Sequence, residues 1–103
     1  MKVNHRKDAV IITGGTAVAP YAFNSCGNIT SITLSENTTS IGAYAFQNCT
    51  SLTEVNLTNN EGWWYSTNAN ATSGTAVPET YLSTGANFAF YLTRYISYYL
   101  KCI

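Results

Sequence analysis

Charge is what this sequence has least of. Asp, Glu, Lys and Arg make up 10% of its 103 residues, so its solubility rests on neutral Ser, Thr and Asn rather than on ions. Between Ala9 and Thr93 there is no Lys or Arg at all, only Glu36, Glu54, Glu61 and Glu79. That gap argues against a nucleic-acid partner, which needs clustered cations against phosphate. The sole basic cluster, Lys2, His5, Arg6 and Lys7, reads as a solvated terminal tail. With one His, one Asp and four scattered Glu, the inventory does not readily supply a nucleophile beside a base, and no enzyme is expected. No metal site or cofactor is signalled either, because His5 stands alone and no Cys-x-x-Cys pair exists. No apolar run reaches the roughly 18 residues of a membrane span.

What is present is an echo. Ala22-Phe23 recurs as Ala45-Phe46, with Cys26 and Cys49 each three residues after the phenylalanine. In this 23-residue register Tyr21, Thr30, Leu34 and Asn37 meet Tyr44, Thr53, Leu57 and Asn60, while Val18, Ile29 and Ile32 meet Ile41, Leu52 and Val55. A repeat this short is one supersecondary unit copied along an axis, each copy burying its apolar face against its neighbours. Within a copy, Ile32 and Leu34, like Val55 and Leu57, alternate with polar residues, which predicts one short strand. Polar turn residues follow, and the returning segment Ile41 to Phe46 is too short for a regular helix. It predicts a turn or 3₁₀ piece whose phenylalanine plugs the interior.

A third, degraded copy precedes these two. Ala9-Val10-Ile11-Ile12 reads as a strand bounded by Thr13-Gly14-Gly15-Thr16. Strict spacing turns Ala9 and Ile11 inward, whereas a loop one residue shorter turns Val10 and Ile12 inward, since a one-residue slip exchanges the faces of a strand. The compact Gly-Gly turn favours Val10 and Ile12.

The pattern I-G-x-x-A-F-x-x-C-x-x-L-x-x-V-x-L, from Ile41 to Leu57, resembles the leucine-rich repeat of the BspA type, a family of bacterial surface proteins. The resemblance implies a short leucine-rich-repeat solenoid, a right-handed arc with one parallel strand per repeat. It also implies an extracellular or cell-surface location and adhesion to a protein ligand such as host extracellular matrix. Fold alone does not fix function.

After Asn60 the repeat breaks. Gly62-Trp63-Trp64-Tyr65 is an aromatic strand candidate, 66–74 a polar loop, Ala86 to about Thr93 a short helix capped by Thr84, and Tyr95 to Ile103 a final strand. This is expected to be a C-terminal cap, because the last repeat otherwise leaves Leu52, Val55 and Leu57 uncovered. The organisation is thus a tail at 1–8, two to three repeats at 9–60 and a cap at 61–103. The Ala9 to Ile12 strand has no covering unit in this reading, which leaves an apolar end through which two copies could pair.

Candidate recognition residues follow from alternation. If Ile32, Leu34, Val55 and Leu57 point inward, then Ser31, Thr33, Ser35, Glu54, Asn56 and Thr58 stack in ladders on the outer face. Trp63 and Tyr65 are a second candidate, a platform for a carbohydrate or protein, although burial in the cap explains them more simply. Cys26 and Cys49 would stack roughly 5 Å apart as packed thiols rather than a bridge, and Cys102 is a candidate for an intermolecular disulfide. Sequons at Asn28, Asn37, Asn48, Asn56 and Asn70 are what an Asn- and Thr-rich chain generates by chance, and matter only in a glycosylating pathway. The N-terminus imitates an export signal, but Gly14-Gly15 interrupts the apolar stretch. If the chain is secreted, it is expected to be a fragment or a mature form.

Two functions are carried forward: a non-catalytic protein-binding or adhesion module, and a structural segment that caps or self-associates a solenoid without a ligand of its own.

Overall fold

The computed structural model describes residues 3–6, 9–12, 14–58 and 62–102. In chain order its elements are β1 (Val3–Arg6), β2 (Ala9–Ile12), β3 (Ala17–Val18), β4 (Ser31–Thr33), β5 (Ser40–Ile41) and β6 (Glu54–Asn56). The remainder are β7 (Trp63–Ser66), β8 (Thr75–Ala76), α1 (Glu79–Leu82), α2 (Gly85–Arg94) and β9 (Tyr99–Cys102).

Each copy contributes one strand to a parallel row, β2, β4 and β6, in which Val10, Ile32 and Val55 stand side by side. Pairing Val10 with Ile32 rather than Ala9 fixes the first loop as one residue shorter than the second. Val10 and Ile12 are accordingly buried, and Ile11 is 41% exposed. The turn segments run in register as well. Tyr21, Phe23 and Ser25 donate their amide protons to the carbonyls of Ala43, Ala45 and Gln47 at 2.7–3.2 Å, so backbone groups that no regular element satisfies are paired with the next copy. The two phenylalanine rings stack at 5.6 Å in the interior.

Ahead of these turns lies a second sheet whose repeat strands, β3 and β5, alternation did not reveal, because they hold only two residues each. β3 and β5 run parallel, β9 adds antiparallel to β5, and β7 and β8 continue the sheet. Gly42 follows β5 because a Cβ there would lie 2.7 Å from Pro20 Cα of the previous copy, a separation real side chains do not tolerate. The core fills the space between the sheets, from Val10 and Ile12 through Ile32, Phe46 and Val55 to Trp63, Phe88 and Leu100.

The ends depart from the sequence reading. Within the expected tail, Val3–Arg6 forms β1, antiparallel to β2 with Val3 opposite Ile12, so the outer edge of β2 carries a strand. Basic residues hide a strand of this sort from pattern reading, although edge strands accommodate them well. At the other end, Thr84 caps α2 as expected, its hydroxyl accepting a bond from the Asn87 amide at 3.1 Å. The final strand is shorter than expected. The Tyr95 amide still bonds Tyr91 O and the Tyr98 amide reaches Tyr95 O, so the chain spends those residues turning out of the helix before β9 begins. α2 lies along the edge of β6, and Gly85 makes this possible, since a Cβ there would meet Asn56 Oδ1 and Glu54 Cγ at 2.8 Å. Phe88, Ala89, Tyr91 and Leu92 of α2 are buried, and the helix packs against β6 of the last repeat.

Candidate functional site

The outward face of the parallel row presents two lines of side chains. Ala9, Ser31 and Glu54 are register partners in one, Ile11, Thr33 and Asn56 in the other. Alternation alone puts them there, because Val10, Ile32 and Val55 between them are buried. Asn56 ties the lines together, its Nδ2 donating to Glu54 Oε1 at 3.0 Å and to Thr33 Oγ1 at 3.4 Å. Thr53 Oγ1 adds a bond to Thr30 O at 3.2 Å beside the strands. Glu54 is the one charge among these six residues, so the face is a mildly acidic surface of fixed hydroxyl and amide groups with an apolar spot at Ile11. Such an arrangement can bind by hydrogen bonds and shape. It places no base beside a nucleophile.

Five of the six predicted face residues occupy this side of the repeats or continue from it, and one does not. Ser31 and Thr33 are half-buried, and Glu54, Asn56 and Thr58 are exposed. Ser35 is 6% exposed, which corrects its placement on the outer face. β4 ends at Thr33, after which Ser35 Oγ accepts a bond from the Asn37 amide at 3.2 Å and its carbonyl accepts one from Thr38. Ser35 therefore starts a turn, a role that Ser takes readily. Thr58 and Asn56 line a cleft of about 200 Å³ between β6 and the start of α2, closed on the far side by Ser83 and Thr84.

The aromatic candidate separates into its parts. Trp63 is 2% exposed and packs against Phe88 with ring centroids 6.4 Å apart, so it is core and offers no platform. Tyr65 is half-buried and stacked on Tyr98 at 4.4 Å. Sequence reasoning passed over its company, Tyr81, Tyr91, Tyr95 and Tyr98, which gather around it in the cap. The spacing of Tyr91 and Tyr95, one helical turn apart, was the available signal.

The cysteines pack. Cys49 is buried and its Sγ donates to Phe23 O at 3.0 Å, while Cys26 is half-buried. Burial pushes the Cys49 thiol up, against the lowering effect of its contact with the Cys26 backbone. Burial raises Cys102 likewise. Thiols held protonated are poor nucleophiles. Among the described residues no three His, Cys, Asp or Glu side chains come together in a way that could hold a metal ion, and no helix is long and apolar enough to cross a membrane.

No curated protein and no solved structure matches the chain. A family model does: the one described as BspA type Leucine rich repeat region (6 copies) matches residues 16–77. That stretch takes in both clear repeats and runs through β7 and β8 to Val77. It covers more than half the sequence, including the stacked Phe23 and Phe46, and the chain belongs to the BspA-type leucine-rich repeat family.

Proposed function

We propose that this chain is a non-catalytic protein-binding module of a bacterial cell-surface or secreted leucine-rich repeat protein. It is a short solenoid whose outer strand face takes part in adhesion to a protein ligand such as host extracellular matrix. The observation that carries this reading is the line Ile11, Thr33 and Asn56, an outward row held in register across three strands, with Asn56 prepositioned by its hydrogen bond to Thr33. Prepositioned side chains lose less freedom on binding. The row is short against the roughly 800 Å² per partner of a specific interface, which points to a contribution within a larger contact. Surface plasmon resonance of the full chain over immobilised fibronectin and collagen tests it. Saturable binding, weakened at least tenfold in Thr33→Arg, is the expected result. No binding by this chain or by any longer parent counts against adhesion.

A second reading, a structural cap or self-association segment, is favoured by α2 lying on the edge of β6 and by β9 joining β5. Self-association would run through the outer edge of β1, since β2 is paired on both sides. Light scattering decides this part: a mass that stays monomeric as concentration rises removes it.

A further inference from the structure

Because Trp63 points into the core, alternation along β7 turns its neighbour Trp64 out. Trp64 is half-buried on the outer face of the second sheet, with Lys101 of β9 opposite it on one side and Ala76 of β8 on the other. The Lys101 ammonium stands 5.8 Å from the centre of the indole and is held there by the carbonyls of Ala69 and Ala71, both at 2.9 Å. Toward β8 the described neighbours are smaller. Gly62, Gly74 and Ala76, none with more than a methyl group, join Thr72 and Ser73 in lining a cavity of about 350 Å³ beside Trp64. Gly74 is needed for this arrangement, since a Cβ there would lie 2.6 Å from Trp64 Cε3. Most of the other rings of the cap close on one another: Trp63 packs on Phe88, Tyr65 and Tyr95 on Tyr98, and Phe90 and Tyr91 on Tyr81. Among the described residues no second ring packs on Trp64 in this way.

The walls of this cavity narrow what can occupy it. A cation is disfavoured, because no carboxylate lines the cavity among the described residues and the Lys101 ammonium already sits over the indole. An anion finds no counter-charge there, since Lys101 is spent on two carbonyls and is not among the lining residues. A purely apolar molecule would strand hydroxyls. Thr72 and Ser73 are exposed, and their hydroxyls bond to no other described residue, so covering them without partners would cost their desolvation. What fits is a neutral molecule with an apolar face for the indole and hydroxyls for Thr72 and Ser73. A pyranose ring has both. The C–H bonds of one face carry partial positive charge, which suits the negative face of an aromatic ring, and the hydroxyls at its rim donate and accept. The cavity falls at the small end of the roughly 300–1,000 Å³ of small-molecule sites, which suits one ring rather than a long chain.

We propose that Trp64, with Thr72 and Ser73, binds one neutral sugar ring of a glycan, stacked on the side of the indole turned toward β8. The aromatic platform expected at Trp63 and Tyr65 thus lies on the residue between them. The site belongs to the sheet of β7, β8 and β9, apart from the outer face of β2, β4 and β6, and does not depend on that face binding a protein.

NMR titration of the full ¹⁵N-labelled chain tests it, using lactose, cellohexaose, mannobiose and chitotriose, with indole as an apolar control. Saturable shifts of the Trp64 indole N–H and of the Thr72, Ser73 and Gly74 amides are expected with at least one of the four sugars, at a dissociation constant of about 1 mM. Ser73→Ala is expected to weaken that sugar about fivefold, the worth of one hydrogen bond. Ala76→Leu fills the cavity from an exposed position and is expected to weaken it about tenfold or more. Trp64→Ala removes the binding and Trp64→Phe keeps part of it, a pair that separates loss of the platform from loss of folding. Thr33→Arg leaves sugar binding unchanged, which separates this site from the strand face. The proposal is overturned if none of the four sugars shifts these signals at concentrations well above a millimolar, if Ala76→Leu binds as the wild type does, or if indole moves the signals and the sugars do not.

Discussion

Among the described residues the repeats carry backbone strain and the cap carries none. All four described non-glycine residues with left-handed φ, Tyr21, Ser25, Tyr44 and Asn48, lie in the repeats, where they form two pairs one repeat apart. Among the described residues of the cap the one positive φ belongs to Gly62, which adopts it without steric cost. Each strained residue costs on the order of 1–2 kcal/mol, so something must hold it. For Tyr21 and Ser25 that something is the neighbouring copy, since their amides donate to Ala43 and Gln47, and for Tyr44 it is the cap, since its amide donates to the Ile96 carbonyl. The cap has no neighbour of its own kind and uses a capped helix and large aromatic rings. Repeats of this sort draw their stability from interfaces, and the last interface is the one the cap makes.

The strongest way to break the contrast is to hollow the cap and look at the repeats. Trp63→Ala is expected to destabilise the chain by ~3–5 kcal/mol, seen as a lower urea midpoint. If the two regions fold as one unit, hydrogen-exchange protection falls together at Ile32 in β4 and at Leu92 in α2. Protection that survives at Ile32 would make the repeats independent of their cover.

A change within the repeats sharpens the other side. In Gly42→Ala the new Cβ enters the backbone of Pro20, which is not a flexible neighbour that can swing away. Overpacking of this kind costs about 1–3 kcal/mol, and the same urea titration measures it. An unchanged midpoint would mean that consecutive turns are looser than their hydrogen bonds imply.

Alkaline pH separates the two regions by chemistry. Cys49 in the repeats and Tyr91 in the cap both have raised pKa values, from ordinary values of 9.0 and 10.0. Above those values the unfolded chain has released protons that the folded chain still holds, so stability falls as pH rises. Urea midpoints from about pH 8 to about pH 11 should decline first through Cys49 and Cys102 and more steeply once tyrosine titrates. Tyr91→Phe should flatten the steeper part alone. A decline equally steep in that variant would place its cause in groups other than Tyr91, among them Tyr81 and Cys102, whose pKa values are also raised.

Much of this was legible in the sequence, for identifiable reasons. The 23-residue echo sets which residues of each strand point inward, and the Gly14-Gly15 turn correctly favours Val10 and Ile12, because a shorter loop shifts the pairing by one. Thr84 announces α2 because a hydroxyl three residues before a free amide is a local signal. Ser35 was misplaced because alternation was carried past the end of β4, where Asn37 already marks a turn. Trp63 and the tyrosines were harder, since an aromatic residue looks the same whether it closes a core or lines a cavity. Which of these it does depends on contacts between α1, α2, β7 and β9 that no short-range pattern encodes.

The smallest test returns to the strain itself. Ser25 holds φ at 62°, is exposed, and makes only a short-range side-chain bond to Asn24 Oδ1 at 2.8 Å. Ser25→Gly removes the steric cost of that conformation but adds backbone freedom to the unfolded chain. The balance is expected to be a gain of ~0.5 kcal/mol. Its counterpart Asn48, also at a positive φ, should gain less from the same change, since Asn tolerates this region better than Ser. A difference of this size lies near the edge of a urea titration, so both variants should be followed by amide exchange at Phe23 and Gln47. Greater protection there in Ser25→Gly would locate the relieved strain at the interface between copies. A loss of stability would show instead that the serine side chain, rather than the neighbouring copy, holds the turn in place.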